Sequence, residues 1–390
     1  MSDKVNVSYD FLPVEIVTNI LLRLPIKSII TCICVCKTWK SIFLNPTFVS
    51  TQLHLSIKSH NNLILLRLCS QQGREVYALH DDDDFTEHTK LDFPFQGPHV
   101  ELFNGMFRLV GTCNGLVCLS NDLLRYVHQF FLWNPCVRKF LKLPYPNVTY
   151  GTHGEFNESI GFGFDAKTND YKVVRMMTHT DIHGSKKDRL EVEVYSLATG
   201  EWRMVTAALP PICTLTVISH EQQSFVNGAL HWLAFRWTDD NKYHYVVLVF
   251  DLGDEVFREI LLPEICYENG YKLRQASLSV YGNSIALFEK KFYNVGYNIW
   301  VMKEYGVASS WTKVLTIAYQ GQEMGIPRAI GFRRNGELVL ALDGGKLTSQ
   351  DLESQEMKDL RITSYKYTFV DSYVESLVLL DKAANGAVTY

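Results

Sequence analysis

Two histidines, His179 and His183, have a spacing that could bind a metal ion. Four residues apart on a helix, they would lie on one face, where both imidazoles could ligate the same zinc ion. Their setting, THTDIHGSKKD, is instead a polar stretch between two apolar runs, which predicts a loop between strands. The pair therefore indicates a solvated loop, and no metal site is expected.

The remaining motifs provide no catalytic centre. The Gly-Phe-Gly sequence at 161–163 lacks the helix and the acidic partner of a dinucleotide site, so it predicts a strand that begins with small residues. No nucleophile elbow, phosphate loop or zinc-protease helix occurs. The nine cysteines lack paired CxxC spacing and are expected to be reduced and buried. The sequence thus predicts a non-catalytic protein with no cofactor and no metal.

The strongest charge run consists of Asp81, Asp82, Asp83 and Asp84. Four adjacent carboxylates repel one another and stay hydrated, so the run predicts an exposed, mobile loop. Recognition of a basic segment of another protein is the alternative role for these carboxylates.

Apolar side chains near the N-terminus are better suited to binding, and they lie on three predicted helices. Pro13 opens the first helix, where its missing N–H costs nothing, and Pro25 ends that helix and opens the second. Asn45-Pro46 ends the third. The first helix is apolar on more than one side: Leu12, Val14, Ile16, Val17, Ile20, Leu21, Leu22 and Leu24. A unit this small cannot bury that surface alone, which predicts an interaction surface; a helical cap on the following domain is the alternative.

The sequences at 12–16 (LPVEI), 20–28 (ILLRLPIKS) and 35–39 (VCKTW) closely resemble the F-box. That trihelical module docks on the Skp-family adaptor of a cullin-based ubiquitin ligase. The resemblance implies an adaptor-binding surface made of Leu12, Pro13, Ile16, Ile20, Leu24, Val35, Cys36 and Trp39. Some of these side chains, Trp39 above all, must also hold the three helices together.

Beyond about residue 61 the apolar period becomes strand-like, and similar units recur. They span residues 111–144, 159–205, 225–263, 279–317 and 329–362, with turn markers at 114–115, 227–228, 282–283 and 335–336. Each unit predicts four antiparallel strands, as in a propeller blade. Strands within 63–79 and a closing strand at 374–380 would form one more blade by joining the two ends of the chain.

These units predict a multidomain chain of α plus all-β class: a trihelical module followed by a kelch-like β-propeller of about six blades. The alternative is an all-β domain of β-sandwich type. Four tryptophans at blade-like positions are expected to pack between blades, namely Trp133, Trp202, Trp232 and Trp311. The Gly-Gly doublet of a strict kelch repeat occurs once, at 344–345, so strand spacing carries this prediction.

The β units also resemble a family. GTCNGLVCLS, LWNPCVRKFLKLP, FGFDAKTNDYKVVRMM and VEVYSLATGEW look like the plant F-box-associated domain, and YVESLVLL is similar to the end of S-locus F-box proteins and their relatives. With the F-box, the resemblance covers nearly the whole chain. It implies an F-box at 8–52, a linker at 53–60, a substrate-recognition domain at 61–382 and a C-terminal tail at 383–390.

The composition limits the classes of partner that this chain is expected to bind. The chain has 390 residues, 47% of them hydrophobic, and a net charge of −4, so it lacks the basic surface that binding to nucleic acid needs. The polar N-terminus has no apolar signal region, and no apolar run approaches the roughly 20 residues that span a bilayer. We expect no nucleic acid or membrane partner, and a location in the cytoplasm, the nucleus or both.

The resemblance implies the substrate-recognition subunit of an SCF-type (Skp-cullin-F-box) ubiquitin ligase, bound to the adaptor and through it to a cullin and a RING protein. A target protein would bind loops of the β domain. The candidate segments are residues 81–88, 145–155, 179–188, 237–245, 266–271 and 319–324, with Asp81, Asp82, Asp83, Asp84, His183 and Tyr243 as candidate contacts. Likeness to S-locus proteins implies S-ribonuclease targets, whereas likeness to other F-box-associated proteins implies unrelated targets, including components of plant immune signalling. The alternative is an enzyme or ligand-binding propeller with a helical cap.

Overall fold

The structure is a computed structural model with N-terminal helices followed by a β-propeller. It describes residues 12–59, 63–69, 75–94, 107–122, 128–179, 189–205, 214–215, 224–237, 243–263, 276–291, 296–318, 327–365, 367–381 and 388–389. Six separate antiparallel sheets form the blades. The predicted class and the predicted propeller of about six blades are confirmed, and the β-sandwich alternative is wrong.

The first three helices are α1 (Val14–Leu22), α2 (Ile26–Cys32) and α3 (Lys37–Phe43). Pro13 and Pro25 each stand directly before a helix, as the sequence predicted, because a proline at that position forfeits no helical hydrogen bond. Before α3, the thiol sulfur of Cys36 accepts a hydrogen bond from the Trp39 N–H at 3.4 Å. Local sequence signals therefore determine where these helices begin.

A fourth helix, α4 (Pro46–Lys58), was not predicted. Asn45-Pro46 does end α3, but the same pair begins a new helix. The Asn45 side-chain oxygen accepts a hydrogen bond from the Thr47 N–H at 2.8 Å, and Pro46 takes the first helical position. Residues 53–58 of the predicted linker lie in this helix.

The strands of the first three blades are numbered along the chain. Blade 1 holds β1 (Leu63–Cys69), β2 (Glu75–Asp81) and β3 (Glu87–Leu91); blade 2 holds β4 (Arg108–Cys113), β5 (Leu116–Ser120), β6 (Phe130–Asn134) and β7 (Lys139–Lys142); blade 3, after the short helix α5 (Tyr150–His153), holds β8 (Asn157–Asp165), β9 (Asp170–His179), β10 (Arg189–Ser196) and β11 (Glu201–Met204).

The remaining blades follow in the same order, from the innermost strand outward. Blade 4 holds β12 (Thr214–Leu215), β13 (Ser224–Val226), β14 (Ala229–Trp237), β15 (Tyr243–Asp251) and β16 (Phe257–Leu261); blade 5 holds β17 (Ala276–Tyr281), β18 (Ser284–Lys291), β19 (Gly296–Met302) and β20 (Trp311–Ala318); blade 6 holds β21 (Arg328–Phe332), β22 (Leu338–Ala341), β23 (Lys346–Gln350) and β24 (Met357–Thr363). In blade 4, β12 and β13 both pair with β14.

Two strands from the C-terminal end of the chain complete the propeller. The strand β25 (Phe369–Tyr373) is the innermost strand of blade 1, where it pairs with β1, and β26 (Val388–Thr389) pairs with β7. The two ends of the chain are thus joined in one blade, as predicted. The closing strand is Phe369–Tyr373, however, so its predicted position at 374–380 is wrong: those residues leave the sheet and pass toward the helices.

The order of strands gives the propeller two distinct faces. Because neighbouring strands are antiparallel, the turn after each innermost strand and the turn after each third strand lie on the same face. We call it the helix face; it carries the turns 114–115, 227–228, 282–283 and 335–336. The other face, where the second strands end and the innermost strands begin, is the loop face.

Tryptophans pack between neighbouring blades. Trp133, Trp202, Trp232 and Trp311 are all buried, as predicted for packing residues. The Trp202 indole N–H donates to the carbonyl oxygen of Pro144 at 2.8 Å, and that of Trp311 donates to the carbonyl oxygen of Leu261 at 3.1 Å. Both bonds join the outer strand of one blade to the end of the preceding blade.

Candidate functional site

A stripe of exposed apolar side chains lies along the first helix. Leu12, Ile16 and Ile20 are 51%, 47% and 53% exposed; Ile16 and Ile20, four residues apart, lie on one side of α1, and Leu12 lies two residues before the helix. We call these three residues the α1 stripe. Pro13 beside it is exposed too, and so are Val35 and Cys36 in the turn between α2 and α3. Six of the eight residues predicted to bind an adaptor are thus open to solvent.

The other two predicted residues, Leu24 and Trp39, are half-buried. The Trp39 ring meets Phe43 edge to face, with ring centroids 6.3 Å apart, and both side chains belong to the core of the helical unit. Leu24 lines a groove of about 530 Å³ between the helices and Glu375. Trp39 therefore has the core role that the sequence suggested for it.

The core of the helical unit is shared with the propeller. Leu21 and Phe43 pack in one cluster with Val137, from the third turn of blade 2, and with Leu377 and Leu380, which follow β25. All five side chains are buried. The inner side of the helices therefore caps the propeller, as the alternative prediction states, and the α1 stripe stays uncovered; its role as an interaction surface stays a prediction.

Residues 374–381, here called the C-terminal segment, connect the helices to the helix face. The buried Asn134 amide N–H₂ donates to the carbonyl oxygens of Ser376 and Val378 at 3.1 and 2.8 Å. The ammonium group of Lys139 donates to the carbonyl oxygen of Leu380 at 2.7 Å. The segment crosses Gly115 so closely that a Cβ there would lie 2.4 Å from the Ser376 hydroxyl oxygen. Blade 2 therefore holds this segment, and with it the helical unit.

The acidic run at 81–84 forms the turn between β2 and β3, on the helix face. Asp83 and Asp84 are exposed, but Asp82 is only 3% exposed, so the predicted exposed loop is wrong at this residue. Its carboxylate accepts a hydrogen bond from the Arg333 guanidinium at 2.9 Å, and that guanidinium lies over the Phe85 ring. Removing the Asp82 carboxylate from water is costly, which is why the sequence pattern predicts an exposed residue. The fixed positive charge of Arg333 offsets that cost.

The same turn recurs at the third turn of four other blades. In each of these turns a polar side chain accepts a hydrogen bond from a backbone N–H two or three residues later, and the fourth residue after the polar one has a positive φ. The polar residue and the residue with positive φ are, in chain order, Asp81 and Phe85, Asn134 and Arg138, Ser196 and Gly200, Asp251 and Glu255, and Asp351 and Gln355. Three of these turns place a leucine second: Leu197, Leu252 and Leu352. Asp82 occupies that position in blade 1, so its carboxylate is part of the joint between blades.

The strands that flank four of the other candidate segments end or begin on the loop face. These ends are His179 and Arg189, Trp237 and Tyr243, Leu261 and Ala276, and Ala318 and Arg328. His183 and the segments 266–271 and 319–324 lie outside the described residues. Tyr243 is the first residue of β15. The segment 81–88 lies on the opposite, helix face.

The remaining candidate segment, residues 145–155, lies on the loop face and is anchored to blade 3. The Glu193 carboxylate accepts hydrogen bonds from the backbone N–H groups of Asn147 and Val148 at 2.9 and 3.1 Å. Arg175 donates to Glu193 at 2.6 Å and to the carbonyl oxygen of Val148 at 3.1 Å. Tyr145, at 59% exposure, is an uncovered aromatic side chain of this segment.

A second carboxylate, Glu158, completes this buried group. Its oxygen accepts a hydrogen bond from the Arg175 side chain, and both residues are at most 4% exposed. Burial is the largest single effect and raises the pKa of Glu158, but the charges and hydrogen bonds of Arg175 and His128 together outweigh it and hold the pKa at about 2. The carboxylate is therefore ionised at neutral pH and keeps the arginine in place under the segment.

Comparison with known families identifies both parts of the chain. The family model described as "F-box associated beta propeller domain" matches residues 76–380, and the one described as "F-box domain" matches residues 10–51. This chain is an F-box protein. It belongs to the family that combines an F-box with an F-box-associated propeller, and the resemblance found in its sequence is confirmed.

Individual relatives extend over most of the chain. F-box protein CPR1 of Arabidopsis thaliana is 28% identical over 388 residues, which cover 94% of this chain and 89% of CPR1. The F-box/kelch-repeat protein At3g23880 of the same plant is 26% identical over 320 residues, 78% of this chain and 79% of the relative. Solved structures are more distant. Dipeptidyl peptidase 4 of Porphyromonas gingivalis is 12% identical, with a TM-score of 0.35, and the match covers 80% of this chain and 47% of the peptidase chain.

Two further properties concern the described residues only. Among them, no group of three or more histidine, cysteine, aspartate or glutamate side chains could hold a metal ion. No described helix is long and apolar enough to cross a membrane.

Sequence reasoning missed two parts of the F-box site. One is α4, whose signal was present as Asn45 followed by Pro46, the usual residues before and at a helix start. The other is the C-terminal segment, whose apolar SLVLL sequence was assigned to a closing strand. A strand there would bury alternate residues on one side, whereas Leu377 and Leu380 reach the F-box core three residues apart.

Proposed function

We propose that this F-box protein is the substrate-recognition subunit of an SCF-type ubiquitin ligase. The F-box would bind a Skp-family adaptor, and through it a cullin and a RING protein, while the propeller would bind a target protein for ubiquitination. The chain itself would supply no catalytic residue and require no cofactor. Such a subunit works where cullin ligases do, in the cytoplasm, the nucleus or both.

One observation carries the proposal: the α1 stripe remains exposed on a helical unit whose other side is buried against the propeller. Neighbouring large aliphatic side chains gain about 1.5–3 kcal/mol each on full burial, and continuous exposed apolar patches usually mark interaction sites. Family membership supplies the kind of partner. The α1 stripe, with Pro13, Val35 and Cys36 beside it, is the surface that we assign to the adaptor.

The geometry supports a role in bringing two proteins together. The F-box lies on the helix face, and most candidate target segments are flanked by strands that end on the loop face. A target on the loop face would be held close to the charged ubiquitin-conjugating enzyme of the assembled ligase. Proximity then replaces a bimolecular encounter with a local one and raises the effective concentration of target lysines.

The α1 stripe can be tested by a pair of charged substitutions. Ile16→Asp combined with Ile20→Asp places two carboxylates in the assigned surface, and we expect co-purification with a Skp-family adaptor to fall at least a hundredfold, because both charges would have to be buried. The matched control is Leu261→Asp, another exposed aliphatic residue, at 57%, on the outer strand of blade 4. It should bind the adaptor like the wild type.

Adaptor binding by the double variant and by the wild type distinguishes the proposed ligase subunit from a propeller with a helical cap. Undiminished adaptor binding by the double variant, with an unchanged melting temperature, would mean that the α1 stripe is not the docking surface. Absence of adaptor binding by the wild type as well would favour a propeller with a merely structural helical cap. The resemblance to S-locus proteins makes an S-ribonuclease one target to test with the purified complex.

A further inference from the structure

Buried arginines in this propeller have carboxylate partners. Among the described arginines, four are less than 10% exposed, and each forms an ion pair: Arg67 with Glu75, Arg108 with Asp122, Arg175 with Glu158 and Glu193, and Arg333 with Asp82 and Glu337. Such pairing is expected, because an isolated buried charge is costly.

Arg328 departs from this rule. Its side chain is half-buried, and its guanidinium donates one hydrogen bond, to the carbonyl oxygen of Tyr365 at 2.9 Å. Within the described part of the chain, no carboxylate lies within ion-pair distance of it. Among the described residues, then, a neutral carbonyl is the hydrogen-bond partner of this positive charge, and most of its five N–H donors remain available.

The position of Arg328 is on the loop face, close to the propeller axis. It is the first residue of β21, the innermost strand of blade 6. Tyr365 lies in the connection between β24 and β25, and Tyr297 lies near the start of β19. All three positions belong to the edge of the propeller that faces away from the F-box.

The surroundings of Arg328 partly remove its charged group from water. Burial lowers its pKa, and the neighbouring Tyr297 and Tyr365 only partly reverse that effect. An arginine stays protonated even so, because its reference pKa lies far above neutrality. A partly desolvated guanidinium with free donors is the arrangement that binds oxyanions through two parallel charge-assisted hydrogen bonds.

We propose that Arg328 binds an oxyanionic side chain of the target protein, either a carboxylate or a phosphate, at the centre of the loop face. This inference rests on the proposed function, since it names a chemical feature of the target. The bound oxyanion would take the role that Glu75 has for Arg67 and Asp82 has for Arg333. Arg328 would thereby select targets whose docking segment carries a negative charge.

The experiment uses the full chain, with and without a Skp-family adaptor added, and four pools of eleven-residue peptides. The pools are random except for a central Glu, Gln, phosphoserine or Ser. We expect the wild type to retain the Glu pool over the Gln pool, or the phosphoserine pool over the Ser pool, by about tenfold, as one charge-assisted interaction provides. The pool that is preferred distinguishes a carboxylate from a phosphate.

Variants decide whether Arg328 is responsible. Arg328→Gln should abolish the preference, and Arg328→Lys should keep part of it, since lysine retains the charge without the planar fork. The control is Arg361→Gln, an exposed arginine on the outer strand of the same blade, which should behave like the wild type. A preference that survives Arg328→Gln, or a wild type without any preference, would overturn the inference.

Adaptor binding, measured in the same preparations, separates this inference from the proposed function. If the wild type binds the adaptor but shows no charge preference, only the role of Arg328 is wrong. If it binds peptides selectively without binding the adaptor, the ligase function is wrong and the oxyanion site stands.

Discussion

The buried carboxylate of Asp82 adds an ion pair to the apolar cluster where blades 6 and 1 meet. In three other blades the equivalent turn position holds a leucine, which packs against the preceding blade; Leu252, for example, is fully buried. Blade 1 has an aspartate there, and the preceding blade supplies Arg333 to pair with it. At this turn position a buried, directional ion pair thus stands where the other blades have an apolar contact.

Asp82→Ala should lower the free energy of unfolding by about 2 kcal/mol, because Arg333 would lose one buried charged partner while keeping Glu337. Asp83→Ala removes an exposed carboxylate from the same turn and should change the stability by less than about 0.5 kcal/mol. Urea unfolding of the two variants beside the wild type measures both values. Equal effects would mean that the buried pair makes no net contribution.

Glu158 gives the fold a defined dependence on pH. Its pKa is about 2 in the folded chain and 4.5 when unperturbed, so its stabilising effect is complete above pH 4.5 and is lost as the pH falls toward 2. The difference in unfolding free energy between the wild type and Glu158→Gln should be about 3 kcal/mol at pH 7 and should shrink steadily below pH 4.5. Denaturant titrations between pH 7 and 3 test this. A difference independent of pH would contradict it.

Among the elements, those with local signals could be predicted and those with distant partners could not. Proline positions were enough to place α1 and α2, and Asn-Gly turns marked blades 2 and 4, where Asn114 and Asn227 have φ near +51°. Asp82 looked hydrated because its partner Arg333 lies 251 residues away. The closing strand was displaced because nothing local distinguishes Phe369–Tyr373 from the apolar residues that follow.

The C-terminal segment is the element on which the F-box depends. Leu377→Ala should leave a cavity in the shared core and destabilise the helices by about 2–5 kcal/mol. Hydrogen exchange should therefore accelerate selectively in α1–α3. The matched control, Leu248→Ala, removes an equally buried leucine from blade 4 and should accelerate exchange in blades 3 and 4 instead. Identical exchange patterns in the two variants would show that the F-box does not rely on this segment.

At the scale of the whole molecule, one stretch near the C-terminus has two tasks. The strand β25 closes the ring by pairing with β1, and the C-terminal segment directly after it enters the F-box core. The F-box is therefore attached to the propeller at both ends of the chain, through α4 and through this segment. Such attachment would hold an adaptor on the helix face in a fixed direction relative to a target on the loop face.

Three truncations separate these tasks. Of the described elements, a chain ending at Asp381 loses β26, which lies at an outer edge, so its melting temperature should change by about a few degrees. Ending at Tyr373 keeps the ring but removes Leu377 and Leu380, so the propeller transition should persist while adaptor binding is lost. Ending at Thr368 removes β25 and opens the ring, so the cooperative transition itself should disappear. Calorimetry on the three chains measures the unfolding transition, and a pull-down measures adaptor binding. If the shortest chain melted like the wild type, β25 would not be what closes this propeller.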